Sequence, residues 1–179
     1  MTSTLQVQTL QGPTSGADSN IIRVADGHTL VGGQGSIIQE QITSFPDYFT
    51  NTSTAYLQTG MTVAITPKLA TSKIVVTSIF NVYFSASVSI YGFAARLYNL
   101  NNSAPIGLGG AGDAMFYSNG PWSTGLGYVQ FAVRAVDDQT NSTALRTYGL
   151  AIRNETSGPS AEIHAGWGSN TITATEIAQ

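Results

Sequence analysis

Lys73-Ile74-Val75-Val76-Thr77-Ser78-Ile79-Phe80-Asn81-Val82-Tyr83-Phe84 is the stretch that decides the fold. Ile74, Val76, Phe80, Val82 and Phe84 share one side of an extended chain, with Lys73, Thr77 and Asn81 on the other. Successive side chains of a strand point to opposite faces, so this alternation predicts a long, half-buried strand and not a helix. The same period returns on both sides. Upstream, Met61, Val63 and Ile65 alternate with Thr62, Ala64 and Thr66. Downstream, Val129, Phe131, Val133 and Ala135 form one row, and Ala161, Ile163, Ala165 and Trp167 alternate with Glu162, His164 and Gly166. Val, Ile, Thr, Tyr and Phe are abundant, while long helix-forming runs of Glu, Lys, Leu and Ala are absent.

Turn signals cut the pattern at short intervals: Gly60, Pro67, Asn99 to Asn102, Pro105, Gly120-Pro121, Asp137-Asp138, Gly158-Pro159 and Gly168 to Asn170. Between them lie about ten candidate strands. They fall near residues 4–10, 20–25, 36–45, 54–58, 61–66, 73–84, 87–98, 126–136, 144–153 and 160–177, the last dividing into two. The expected fold is all-β, an antiparallel β-sandwich of jelly-roll type.

The first 35 residues differ from the rest. Leu5-Gln6-Val7-Gln8-Thr9-Leu10 and Ile21-Ile22-Arg23-Val24 flank a linker from Gly12 to Asn20, and the joint Gly32-Gly33-Gln34-Gly35 precedes Ile37. Two short apolar segments cannot form a core of their own. Residues 1–35 therefore read as an extended N-terminal attachment arm, with Leu5, Val7, Leu10, Ile21, Ile22 and Val24 as candidate docking residues, and residues 36–179 as the sandwich domain.

Composition narrows the function. Charged residues make up 9% of the chain, against about 25% in an average protein. The net charge is −3, and only seven residues are basic. That argues against nucleic acid, which needs a basic stripe to displace counterions, and against a polybasic membrane anchor. The absence of cysteine removes disulfides, thiolate catalysis and cysteine-bound zinc. Met1-Thr2-Ser3-Thr4-Leu5 carries no basic segment followed by an apolar one, so no signal peptide is expected.

Few residues suggest chemistry. Gly107-Leu108-Gly109-Gly110-Ala111-Gly112 spells a dinucleotide motif but lacks the flanking strand and helix that the motif requires. His28 and His164 have no nucleophile motif beside them and read as solvated or interface residues. Asp137 and Asp138 face opposite ways on a strand, so they do not form an acid/base pair. A turn is the default there, and a calcium site with Asn141 is the alternative. Asn51, Asn101, Asn141 and Asn154 begin glycosylation acceptor triplets, which chance supplies freely in so Ser/Thr-rich a chain. The Gly-rich segment from Pro105 to Gly127 reads as a long loop carrying Met115, Phe116, Tyr117 and Trp122. These side chains form a contact patch for a host sugar or protein partner, or they plug the end of the sandwich or pack between subunits. The chain is read as no enzyme, with no metal or cofactor.

The block Thr52-Ser53-Thr54-Ala55-Tyr56-Leu57-Gln58-Thr59-Gly60-Met61-Thr62-Val63-Ala64-Ile65-Thr66-Pro67, followed by Thr71-Ser72-Lys73-Ile74-Val75-Val76, resembles a module of virion proteins of tailed bacteriophages, notably phages of aquatic bacteria and cyanobacteria. That family tends to read TSTSYxxTGLxxxITPxxxxSKIxV and often closes with STITAxEI. Here the ending is Asn170-Thr171-Ile172-Thr173-Ala174-Thr175-Glu176-Ile177. Ser3-Thr4-Leu5-Gln6-Val7-Gln8-Thr9-Leu10, Asn20-Ile21-Ile22 and Ala25-Asp26-Gly27 are also similar to its N-terminal segments. The resemblance implies a β-rich, trimeric virion component, assembled in the bacterial cytoplasm, with no catalytic motif to transfer. Its partners would be further copies of itself and other virion proteins, such as the major capsid protein or a tail protein. A short chain without a shaft suits a capsid decoration (cement) protein or short head fibre. The alternative is a receptor-binding tail-fibre tip that contacts a host surface glycan or protein.

Overall fold

The computed structural model describes residues 34–84, 90–107, 116–122, 128–138, 142–154, 160–163 and 169–179. The expected strands 4–10 and 20–25 and the arm residues Leu5, Val7, Leu10, Ile21, Ile22 and Val24 lie outside these residues, as do Met115, His28 and His164. Eleven strands occupy the described residues. They are β1 (Ile37–Ser44), β2 (Phe49–Asn51), β3 (Leu57–Ile65), β4 (Lys73–Phe84), β5 (Ile90–Asn99), β6 (Ala104–Pro105), β7 (Phe116–Trp122), β8 (Tyr128–Asp137), β9 (Arg146–Asn154), β10 (Ala161–Ile163) and β11 (Thr171–Ile177).

They form two antiparallel sheets. In the first, β4 pairs with β8 on one side and with β11 and β10 on the other, while β1 extends the sheet beyond β11 and β2 extends it beyond β10. In the second, the order is β3-β9-β5, and β6 and β7 follow one another along the far edge of β5. The long pairings are nested: β5 with β7, β4 with β8, β3 with β9 and β1 with β11. One ribbon, paired arm to arm along its length, is thus rolled into two facing sheets. That is the jelly-roll topology, and the all-β antiparallel sandwich expected from the sequence is the architecture found.

The core follows the period-two rows. Ile74, Val76, Phe80 and Val82 of β4 are fully buried, and Met61, Val63 and Ile65 of β3 nearly so. Phe131, Val133 and Ala135 of β8 are buried while Ala132, Arg134 and Val136 between them are exposed. Phe80 and Phe131 from one sheet meet Phe93 of β5 from the other. The Phe93 and Phe131 rings stack at 5.5 Å between centroids, and Phe80 lies 5.9 Å from Phe131 and 6.4 Å from Phe93. Each aromatic side chain buries a large apolar area, so this trio is the main apolar bond between the sheets.

Three expectations are corrected. The strands expected at 54–58 and 61–66 are one strand, β3. Gly60 does not end it but sits inside it at a bulge, with φ +85°, where the register shifts between Gln58 and Thr62. A positive φ of this kind suits glycine alone, and a bulge keeps the strand going. Second, the Pro105–Gly127 segment is not one long loop, because Phe116–Trp122 is strand β7. Gly120 and Pro121 lie within it. Pro121 is tolerated because β7 is an edge strand, pairing with β5 alone among the described residues. Third, the short strands β2 and β6 carry too few residues to show a period and were not expected.

Replacing Phe93 by Ala removes the ring that bridges the sheets. The expected cost is about 3–5 kcal/mol, read as a lower urea midpoint at an unchanged m-value. Phe93→Leu should lose less than half as much.

Candidate functional site

Burial of both inner sheet faces forces any polar group in phase with them to find a protein partner. Two such places, and a third on the outer face of the second sheet, concentrate the polar chemistry of the described residues.

The first is built on β11. Ile172, Ala174 and Glu176 all point inward and are fully buried, so a carboxylate occupies a position where the pattern calls for an apolar side chain. Five hydrogen-bond contacts from four residues converge on it. The backbone N–H of Lys68 donates to Oε1 and Oε2 (2.8 and 2.9 Å), and that of Leu69 donates to Oε1 (3.0 Å). Ser72 Oγ donates to Oε1 (2.6 Å) and Gln39 Nε2 to Oε2 (2.6 Å). Gln39 also donates to the Thr66 carbonyl, so the connection from β3 to β4 is gripped along its length. Burial alone would raise the carboxyl pKa. The bonds from Ser72, Lys68, Leu69 and Gln39 outweigh it and hold the group below its ordinary value of 4.5. Donors of this kind fix an anion.

The second cluster ties the two sheets together at the end where β8 finishes. Asp137 Oδ2 accepts from the Tyr148 hydroxyl (2.7 Å), from Asn99 Nδ2 (3.3 Å) and from Arg146 Nη1 (3.5 Å). Arg146 Nη2 also donates to the Ser142 carbonyl. Asp137, Arg146 and Tyr148 are all buried. Burial and the neighbouring carboxylate push the Tyr148 hydroxyl well above its ordinary pKa of 10.0, so it stays a donor. Asp137 is the last residue of β8 and in phase with Phe131, Val133 and Ala135, whereas Asp138 is exposed. Of the residues in the calcium alternative, Asp137 holds a guanidinium and two further donors on Oδ2, and Asn141 lies outside the described residues.

The third lies on the outer face of the second sheet. Arg96 is opposite Ala151 and Arg153 is opposite Ala94, so the two arginines stand on a diagonal with small side chains between them. The Tyr56 ring lies across that diagonal, 4.2 Å from the Arg96 guanidinium carbon and 4.9 Å from that of Arg153. Cation–π attraction of this kind is worth about 0.5–2 kcal/mol per pair. Burial raises the Tyr56 hydroxyl pKa despite the two nearby positive charges. The contact pins the β2–β3 connection onto the sheet.

Of the residues singled out from sequence, Phe116, Tyr117 and Trp122 are brought onto β7, opposite Ala95, Ala94 and Ile90 respectively. β7 runs toward the end of the sandwich that lies away from the first residue of β1. Two of the glycosylation triplets begin with structural asparagines. Asn51 is buried and donates to the Ile152 carbonyl (2.7 Å), while Asn154 is buried and donates to the Asn51 carbonyl (2.8 Å), joining the two sheets. Among the described residues, no group of three or more His, Asp and Glu side chains stands close enough to hold a metal ion. Glu176, Asp137 and the Tyr56 pair were not expected. For the two carboxylates a signal existed, since each is in phase with a buried row. Tyr56 with Arg96 and Arg153 had none, because the three come from separate elements.

No protein-family model matches the chain, and no curated protein does. Among solved structures it is similar to the VP2 subviral particle of infectious bursal disease virus, with 15% identity and a TM-score of 0.40, covering 93% of this chain and 46% of that one. The T=1 particle derived from the same virus matches at 14% identity and 0.40, over 91% and 42%. A xylan-binding domain from Paenibacillus barcinonensis matches at 9% and 0.33, over 83% and 99%. The chain spans less than half the length of the viral chains, and the likeness is one of all-β sandwich architecture.

Glu176→Gln places an amide N–H₂ among donors. It should cost about 2 kcal/mol, a fall of roughly 4–8 °C in Tm for a domain near 150 residues. A carboxyl whose folded pKa lies below its unfolded value stabilises the fold above that unfolded value and loses the contribution as pH falls through the folded one. Wild-type Tm should therefore drop as the pH is taken below 4.5, and the Tm of Glu176→Gln should drop less over the same range.

Proposed function

We propose that this chain is a structural protein of a tailed-bacteriophage virion: a surface-attached homotrimer that decorates or cements the capsid, or forms a short head fibre. The observation that carries this reading is the meeting of distant sequence blocks at Glu176. Ser72, in the block Thr71 to Val76, and Glu176, in the closing block Asn170 to Ile177, belong to separate parts of the phage-module resemblance, and they form one joint that the backbone donors of Lys68 and Leu69, between the blocks, complete. A likeness of composition alone would have no reason to fall on both halves of one buried contact. The jelly roll is compatible, being a fold of viral capsid domains among others, although a fold by itself assigns no function.

On this reading residues 1–35 dock on the major capsid protein or on a tail protein, and the domain has no catalytic role and takes no cofactor. The receptor-binding fibre tip is the second reading. What favours it is the course of β7, which carries Trp122 toward the end of the sandwich away from the start of β1.

Copy number separates the two. Quantitative mass spectrometry of purified particles should find hundreds of copies per virion for a decoration protein. A count from a few to some tens would transfer the chain to the tail, and absence from particles would overturn both readings.

A further inference from the structure

The outer face of the first sheet has an unusual surface. Antiparallel register places Val136, Val75, Thr175 and Glu40 in one row across β8, β4, β11 and β1. Arg134, Thr77, Thr173 and Ile42 form the next, and Ala132, Ile79, Thr171 and Ser44 the third. Ile42 is 65% exposed, Val136 41% and Ile79 38%. In the three rows only two side chains are charged, and they stand at opposite flanks: Glu40 on β1 and Arg134 on β8. Both flanking strands are sheet edges, since β1 pairs only with β11 and β8 only with β4 among the described residues. Neither edge is guarded by lysine or proline, the usual devices against pairing with another chain.

Size and charge say what covers this face. Strands about 4.8 Å apart and rows about 6.8 Å apart give a footprint on the order of 400 Å². A stable pair buries about 800 Å² on each partner. A dimer packed on this face alone therefore falls short, and the flanks must take part. An acidic flank and a basic flank make this face complementary to another copy of itself, and among three copies that complementarity is met head to tail.

We propose that the outer face of the first sheet is the self-association surface, covered by further copies of this chain in a closed three-membered ring. The β1 flank of one copy meets the β8 flank of the next, Glu40 faces Arg134 across each contact, and Ile42, Ile79 and Val136 turn toward the threefold axis. This rests on the trimeric reading above but not on the particle location.

The test uses the full chain in solution. Light scattering at micromolar concentration should give the mass of three chains. Ile42→Glu, at a side chain exposed within the subunit, should leave the circular dichroism spectrum unchanged and shift assembly to higher concentration by about 30-fold or more. Glu40→Arg and Arg134→Glu should each weaken assembly about 10-fold, and the two together in one chain should restore it to within about 3-fold of wild type. A monomeric or dimeric wild type overturns the proposal. So does a trimer indifferent to all three single changes, or a double reversal weaker than either single one. If Ile42→Glu fails to fold, Ile42→Ser with the charge-reversal set decides on the same criteria. A chain that trimerises as described but is missing from virions sinks the virion reading and leaves this one standing. A monomer that still attaches to particles, and loses attachment on Ile42→Glu, makes the face a dock for another virion protein and overturns the ring.

Discussion

A dry space between two sheets can hold a polar group only if the protein supplies its hydrogen bonds, and the polar joints of this molecule follow from that constraint. Glu176 is fully enclosed, so it must gather donors from β1, from the β3–β4 connection and from Ser72. Asp137 must hold Arg146 and Tyr148. Asn51 must reach the Ile152 carbonyl, and Asn154 the Asn51 carbonyl. Each joint crosses between elements that apolar packing alone would leave free to slide. The aromatic trio brings the sheets together, and the polar joints fix how they are placed.

The fold was legible because its signal is local. Alternation along β3, β4 and β8 states which side chains are inside, and these rows are the core. Boundaries failed where a residue type had two meanings. Gly60 marks a bulge as readily as a turn, and Gly120-Pro121 is compatible with an edge strand as well as with a loop. The polar joints were half legible. The phase of Glu176 and Asp137 places each on an inward row, but their partners come from more than a hundred residues away in the first case and from the facing sheet in the second. The Tyr56 contact depends on the diagonal of Arg96 and Arg153, which exists only once β5 and β9 are paired.

The composition makes sense against the outer surfaces. A chain of average composition would carry more charge than this one. Here threonine and β-branched residues line the outside of the first sheet. Only Glu40 and Arg134 bracket its three rows. The seven basic residues are spent sparingly. Arg146 is inside, Arg96 and Arg153 hold a tyrosine, and Arg134 flanks the open face.

The nested ribbon also sets an order in time. Its innermost pairing joins β5 to β7, but its outermost joins β1 to β11, where Gln39 and Glu176 are 137 residues apart. Topologies dominated by such distant contacts fold slowly, in milliseconds to seconds, because chain entropy is lost before the contacts repay it. On the ribosome β1 emerges among the first strands of the domain and must wait for the last one before it has a partner. The flank that it forms is thus complete only once β11 has been made.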